Sequence, residues 1–437
     1  MKFRKVPFSR RQFLHYSTVS LGSVYLASAR RAAAGSAPPR TSANDRLNIG
    51  LVGVAGQGRF HLSECLGENI VALCDVDGPS LDAAGREFPR ASRHSDFRRM
   101  LDRERLDAVV IATPDHTHAV ASVFALQKGC HVFCADPLTH RISEARAVAR
   151  AARRHGRATQ MGGSLCAPAL EHRVVEWIRG GRLGPISEVH AWTDRSHGEL
   201  VNAAAPAAPP PGLDYDVWLG PSFPRPYRRD YLPARWRHWW HFGGGTLSDV
   251  GCSHVSLAHR ALGLSAPIQV QTWGPAIHLE NTPAWLIVRS LYPGPKKDSP
   301  PVSLTWYHGG EKPGRFAEEA IRDCPEGLLF VGGAGKLLVE EHQARLLVEG
   351  EAAQSLAVDP GLASATRLSE WIDACRTGAP TTGNFESAAA VTEAVLLGNV
   401  SYLTDRKLVW DSRKMAATNL PEASEYIQHS YRPGWLI

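Results

Sequence analysis

The sequence predicts an α/β chain: a doubly wound parallel sheet, then a second α/β domain with a large, mostly antiparallel open sheet. Two observations carry this expectation. From residue 47 to about 165, short apolar runs alternate with helical stretches, as they do when parallel strands are joined through helices. Beyond that point the texture changes to strand-like runs separated by short turns, the pattern of an antiparallel meander.

The first unit is residues 47–77, LNIGLVGVAGQGRFHLSECLGENIVALCDVD. Leu47, Ile49, Leu51, Val52 and Val54 read as a buried parallel strand. A glycine turn follows at Gly53, Gly56 and Gly58, then a helix predicted to turn Phe60, Leu62, Cys65 and Leu66 inward and to stop at Gly67. A second strand, 70–74, ends in Asp75, 22 residues after Gly53. Strand, glycine turn, helix, strand and terminal acid form a dinucleotide-binding unit. Backbone N–H groups of the turn meet a pyrophosphate at the helix N-terminus, and the acid takes the adenosine ribose hydroxyls. Ala55 stands where the usual fingerprint has its second glycine. A carboxylate at position 75 repels a 2′-phosphate, so NAD is expected rather than NADP.

The order of the remaining elements follows from the same signals. Residues 81–88 and 96–103 read as helices, and 107–112 as a strand leading into Thr113-Pro114-Asp115-His116-Thr117-His118. A helix stopping at Gly129, a strand at 130–134, a helix at 145–155 and a strand at 158–161 complete the first domain, 47–165. The second, 166–437, opens with an amphipathic helix, 169–179. Strands are predicted at 186–192, 268–273, 284–291, 302–307, 328–331, 336–339 and 345–348, and helices at 366–375 and 387–404. The GGAGK segment, 332–336, lacks the first glycine and the final Ser or Thr of a phosphate loop, and reads as a hairpin turn.

Composition narrows the function classes. The formal charge is +6, yet residues 1–34 hold seven basic side chains and no acid, leaving 42 basic against 43 acidic in the rest. That near-neutral remainder gives no charge-based case for nucleic acid. Ser9–His15 (SRRQFLH), the mildly apolar 16–29 and Arg30-Arg31 read as a twin-arginine export signal over 1–34, with a polar linker over 35–46. An extracytoplasmic, periplasmic location and a partnership with the twin-arginine export machinery are therefore expected. The eight cysteines form no C-x-x-C pair and read mostly as buried thiols. No metal is expected either: His238, His241, His254 and Asp249 lack ligand spacing.

An insertion at 202–233, rich in Pro, Ala and aromatics, leads into Trp236-Arg237-His238-Trp239-Trp240-His241-Phe242 and Gly243–Gly245. Aromatic faces beside Arg and His donors suit sugar rings, which makes Trp236, Arg237, Trp240 and His241 candidate substrate residues. The alternative is that the tryptophans fill the core beneath the loop.

On the stretches GVAGQGRFHL (53–62), ALCDVD (72–77), IATPDHTHA (111–119), HVFCADPLTH (131–140), RWRHWWHFGGGTLSDVGC (235–252) and EAVLLGN (393–399), the chain resembles the Gfo/Idh/MocA oxidoreductases, and most of all their exported, twin-arginine branch. The resemblance implies a Rossmann domain, a second domain whose open sheet faces the cofactor and carries a homo-oligomer interface, and NAD(P)-dependent chemistry on sugars, inositols and polyols. It places Gly53, Ala55, Gly56, Gln57 and Gly58 on the pyrophosphate and Asp75 on the ribose. Thr113, Pro114 and His118 then line the nicotinamide side.

Several polar positions of the family pattern differ. The Glu-Lys-Pro motif is Ala135-Asp136-Pro137, and a Gly-Asn pair is Gly162-Gly163. After Asp249, the family's His and Asp are Ser253 and Ser256. Asp136, Asp249 and His254 are the candidate catalytic groups that remain. His254 sits one residue, about 100° of helix, past the vacated position.

Two function classes follow. One is hydride transfer between tightly held NAD and a small carbohydrate or polyol through an altered catalytic site. The other is a catalytically silent NAD- or glycan-binding protein. NAD-assisted glycoside cleavage is a minor third.

Overall fold

β1 (Asn48–Val52) is buried from Ile49 onward and lies at the centre of a six-stranded parallel sheet. Its neighbours are β2 (Asn69–Cys74), β3 (Ser92–His94), β4 (Ala108–Ile111), β5 (His131–Cys134) and β6 (Thr159–Met161), in the order β3-β2-β1-β4-β5-β6. Helices α1 (Gln57–Glu64), α2 (Gly78–Glu87), α3 (Phe97–Arg103), α4 (Asp115–Gln127) and α5 (Ile142–His155) make the crossovers. The strand order reverses between β1 and β4, and ligands of such sheets bind beyond the strand C-termini at that point.

The computed structural model describes residues 46–198, 204–294, 299–314, 321, 323–348, 354–356, 365–428 and 430–437. The predicted export signal and nearly all of the linker lie outside these residues, as do residues 202 and 203 of the insertion. Residues 47–437 form one packed unit. Among the described residues no helix is long and apolar enough to cross a membrane.

α6 (Pro168–Arg179) opens the second half, followed by β7 (Ile186–Thr193), the short α7 (Tyr215–Leu219) and α8 (Gly245–Leu262). Then come β8 (Gln269–Trp273), β9 (Leu286–Tyr292), β10 (Val302–His308), β11 (Glu326–Gly332), β12 (Gly335–Val339), β13 (Ala344–Val348) and β14 (Gln354–Leu356). α9 (Arg367–Thr377), α10 (Phe385–Thr404), β15 (Leu408–Asp411) and β16 (Ala416–Ala417) follow. The ten-stranded sheet runs β14-β13-β12-β11-β7-β10-β9-β8-β15-β16, antiparallel throughout except for the parallel pair β7–β10. α8 packs on β7 and β10, and α10 packs on α8, α5 and β8, so the two helices bridge the sheets. The 332–336 segment closes the β11–β12 hairpin, with Gly332 opposite Gly335.

Some expectations need correction. In α1 the inner positions are Gly58, His61 and Leu62, with Cys65 just beyond, whereas Phe60 and Leu66 are 54 % and 64 % exposed. The inward face repeats every three to four residues, which excludes Phe60; Leu66 lies past the helix end. α9 packs back on the first sheet: Trp371 donates its indole N–H to the Ala158 carbonyl at 3.1 Å, and its ring lies 5.8 Å from that of Phe133. Seven of the eight cysteines are buried and none is bridged.

Candidate active site

A cavity of about 940 Å³ opens at the C-terminal ends of β1, β2 and β4, between the two sheets' domains. It is at the upper end of the range for small-molecule sites. Gly53, Ala55, Gly56, Gln57, Asp75, Thr113 and Pro114 line it from the first domain, together with Asp136. Trp236, Arg237, Asp249 and Ser253 line it from the second.

The glycine turn explains itself sterically. A Cβ on Gly53, at φ +85°, would fall 2.6 Å from the Ala112 carbonyl oxygen. A Cβ on Gly58 would fall 1.9 Å from that of Gly53, so Gly58 does not line the cavity but lets α1 close against β1. Gly56, at φ +52°, has nothing within 4 Å of its Cβ position and leaves open space at the N-terminus of α1. That open space at a helix N-terminus with no side-chain cap suits a pyrophosphate, so the residues fit a dinucleotide. Asp75 Oδ2 accepts from the Val54 N–H at 2.9 Å and Oδ1 from the Asp77 N–H at 3.0 Å, which fixes the carboxylate at the cavity wall. Burial raises its pKa, and those two N–H groups oppose the rise.

The insertion is a strap over this end. The Gly78 N–H donates to the Gly212 carbonyl at 2.9 Å, and the Asp214 N–H to the Val76 carbonyl at 2.9 Å. Residues 210–214 therefore lie along the chain just after Asp75. The strap's Trp218, Tyr227 and Tyr231 share a core with Trp236, Trp239 and Phe242 of the segment that follows it.

At the other end Asp136 and Ser253 meet: Ser253 Oγ donates to Asp136 Oδ2 at 2.7 Å. Burial raises the Asp136 pKa, with the Ser253 hydrogen bond opposing. Asp249 differs. Its Oδ2 is 2.8 Å from His197 Nε2 and its Oδ1 accepts from Arg237 Nε at 2.6 Å. Burial alone would raise Asp249, but the His197 hydrogen bond and the Arg237 charge outweigh it and hold the carboxyl at about 2. It is a fixed anion that positions its partners and is no proton acceptor near neutral pH.

Besides Gly58, four candidate residues are not cavity walls. His254 is fully buried on the sheet side of α8, its ring edge-on to Trp306 at 5.4 Å, and burial lowers its pKa to about 4. The 100° turn from Ser253 takes it away from the site. His118 lies beneath the wall, with Nδ1 2.7 Å from the Pro137 carbonyl and Nε2 2.8 Å from that of Thr113, so it tethers two cavity loops. Trp240 donates its indole N–H to the His278 carbonyl at 3.1 Å and packs toward Tyr402. His241 is held near a pKa of about 3 by burial. The 3₁₀ helix 235–238 carries Trp236 and Arg237 to the cavity, whereas Trp240 and His241 lie in the following turn and do not line it.

Two site residues were missed. Asp115, 2 % exposed at the start of α4, accepts weakly from the Gly244 N–H at 3.3 Å; burial and the nearby Asp249 charge push its pKa well up. It stands in the quoted IATPDHTHA stretch, which was the available signal. His197 lies in the loop after β7 and had none.

Comparison with known proteins agrees with this architecture. Residues 47–163 match the Gfo/Idh/MocA oxidoreductase family, NAD-binding Rossmann fold, and residues 188–295 match the C-terminal alpha/beta domain of that oxidoreductase family. A glycosyl hydrolase family 109 protein from Shewanella sp. (strain ANA-3) is 29 % identical over 202 residues, 41 % of this chain and 44 % of the relative. D-apiose dehydrogenase from Paraburkholderia graminis is 35 % identical over 119 residues, 26 % of this chain and 32 % of the relative. The chain thus spans less than half the length of these curated relatives. The crystal structure of an inositol dehydrogenase homolog complexed with NADH and myo-inositol, from Azotobacter vinelandii, superposes with a TM-score of 0.60 at 17 % identity, over 84 % of this chain and 98 % of that one. With both domains matched and the dinucleotide end intact, the chain belongs to the Gfo/Idh/MocA oxidoreductase family.

Proposed function

We propose that this protein transfers a hydride between bound NAD and a hydroxyl-bearing carbon of a small carbohydrate or polyol, with Asp136 handling the hydroxyl proton. The observation that carries the reading is the single cavity with the glycine turn and Asp75 at one end and Asp136–Ser253 at the other. NAD, when bound, supplies the acceptor for the hydride and its electron pair. The Asp136 carboxylate takes the proton from the substrate oxygen as the carbonyl forms, and Ser253 holds the carboxylate in place. Arg237 and Trp236 orient the substrate, and Asp249 holds Arg237.

This arrangement lacks the lysine cation and histidine base of the family pattern, so turnover is expected to be slow. Asp75 favours NAD over NADP, and the 210–214 strap favours slow release of the nucleotide. The test is NADH formation by purified protein across a panel of sugars and polyols. Hydride transfer lost in Asp136→Asn supports the reading. Nucleotide and glycan binding with no transfer to any substrate replaces it with a silent binding protein.

The glycosyl hydrolase relatives favour a second reading, glycoside cleavage through transient oxidation by the same retained NAD. Release of nitrophenol from nitrophenyl glycosides without net NADH separates the two. Export is inferred from Arg10-Arg11 and the apolar 16–29 alone. Assembly through the second sheet is supported by the outward Ile268 and Trp273, 41 % and 43 % exposed.

A further inference from the structure

Two partly or fully covered arginines spend their terminal nitrogens on carboxylates of the protein. Arg432 places both Nη groups on Asp216, and Arg146 places Nε and Nη2 on Glu393. Arg237 does not. Its Nε donates to Asp249 at 2.6 Å and its guanidinium lies 4.1 Å from the centre of the Trp236 ring, so its plane is fixed from two sides. Among the described residues its two Nη groups have no hydrogen-bond partner, and the side chain keeps 24 % of its surface open in a wall of the cavity. Asp249 is in turn held by His197 at 2.8 Å, so the assembly is rigid. A rigid guanidinium edge with two free N–H donors matches a planar carboxylate.

We propose that Arg237 determines specificity for an acidic carbohydrate, a uronic or aldonic acid whose carboxylate is taken by the Nη edge of Arg237. The inference rests on the reading that this cavity receives a carbohydrate. A phosphate dianion fits less well, because Asp115, Asp136 and Asp249 all line this part of the cavity and no lysine does. Arg195, bound to Glu326 at 3.1 Å, adds a second cation at the wall. Trp236, 6 % exposed, backs the fork rather than facing the cavity with an open ring.

The experiment titrates NAD-saturated protein with D-glucuronate and with D-glucose, following tryptophan fluorescence and calorimetry. A charge-assisted pair of hydrogen bonds should favour glucuronate by about 10- to 100-fold. Arg237→Gln should erase that ratio, and Arg237→Lys, a point cation without a fork, should restore little of it. Melting temperatures check folding; should Arg237→Gln fail to fold, Arg237→Lys carries the test. Equal affinity for the two sugars, no binding of either, or a ratio untouched by these variants overturns the proposal. Glucuronate binding that depends on Arg237 without NADH formation leaves it standing and defeats the dehydrogenase reading. NADH formation from neutral polyols alone does the opposite.

Discussion

Ser253 on α8 and Asp136 after β5, 117 residues apart in the chain, share a 2.7 Å hydrogen bond at the meeting point of the two domains. The pair depends on a third position. A Cβ on Gly163 would fall 2.2 Å from Asp136 Oδ2 and 2.5 Å from Ser253 Oγ, so the residue there has to be glycine. Three departures from the family pattern are thus one packed arrangement: an acid, a small hydroxyl donor and the space both occupy.

If Asp136 accepts the substrate proton, Asp136→Asn should lower NADH formation by about 10²–10⁴-fold. The pH profile gives a sharper check. Burial raises the pKa of Asp136, and the base must be ionised, so oxidation should rise with pH along a limb above the ordinary carboxylate range. Asp136→Asn should remove that limb. Ser253→Ala deletes a hydrogen bond that lowers the pKa and should move the limb further up. A profile unchanged in both variants would remove Asp136 from the chemistry.

The dinucleotide end is open to a steric test. Gly58→Ala forces a methyl group into the Gly53 carbonyl, 1.9 Å away, and should abolish NAD binding and lower the melting temperature. Asp75→Ala keeps the turn but removes the acid, so NAD should weaken and the discrimination against NADP should shrink. Fluorescence titration with both nucleotides reads each effect.

The strap should govern how long NAD stays. Retention for an hour needs an off-rate of order 10⁻⁴ per second, which with on-rates of about 10⁵–10⁷ per molar per second means nanomolar affinity or tighter. Gly212 has φ +88°, and a Cβ there would fall 3.2 Å from Pro79 Cδ. Gly212→Ala should therefore loosen the strap and speed nucleotide release about tenfold, measured by stopped-flow dilution. An unchanged off-rate would separate strap from retention.

What the sequence made legible follows the physics of each element. β1, β4 and β5 are buried on both faces and read as apolar runs, whereas β3, Ser-Arg-His at the sheet edge, has no such signature. β15 and β16 are short and enter the second sheet only after two helices, so local pattern could not assign them. In the site, Asp136 and Asp249 were visible as residues, but their roles depend on remote partners. Asp249 is tied down by His197, 52 positions away in an unpatterned loop, and that contact converts a candidate base into a fixed anion. Trp240, His241 and His254 were misplaced for a simpler reason: neighbours in sequence point to different sides of a turn or a helix.

Export is expected to depend on the arginine pair. Arg10→Lys with Arg11→Lys should leave the protein in the cytoplasm of a host carrying the twin-arginine machinery, read by cell fractionation and immunoblot. Normal export of the double variant would remove the route.

A last expectation concerns Glu144, on α5 and not among the residues that line the cavity. It is 1 % exposed, and its oxygens accept from the Tyr431 hydroxyl at 2.9 Å and from the N–H groups of His140 and Arg141 at 3.1 and 2.9 Å. Burial outweighs those donors and raises its pKa from 4.5 to about 7. The native state therefore binds the proton more tightly than the unfolded chain. Stability from this group is fully present below about pH 4.5 and is lost as pH rises through about 7, a cost on the order of 3 kcal/mol above that. Glu144→Gln keeps an acceptor and never ionises, so it should be more stable than the parent at pH 8 and lose that advantage by pH 5. Denaturant unfolding at the two pH values measures the difference directly, with other titrating groups common to both proteins. A Glu144→Gln advantage that is the same at both pH values would show that Glu144 does not titrate between them.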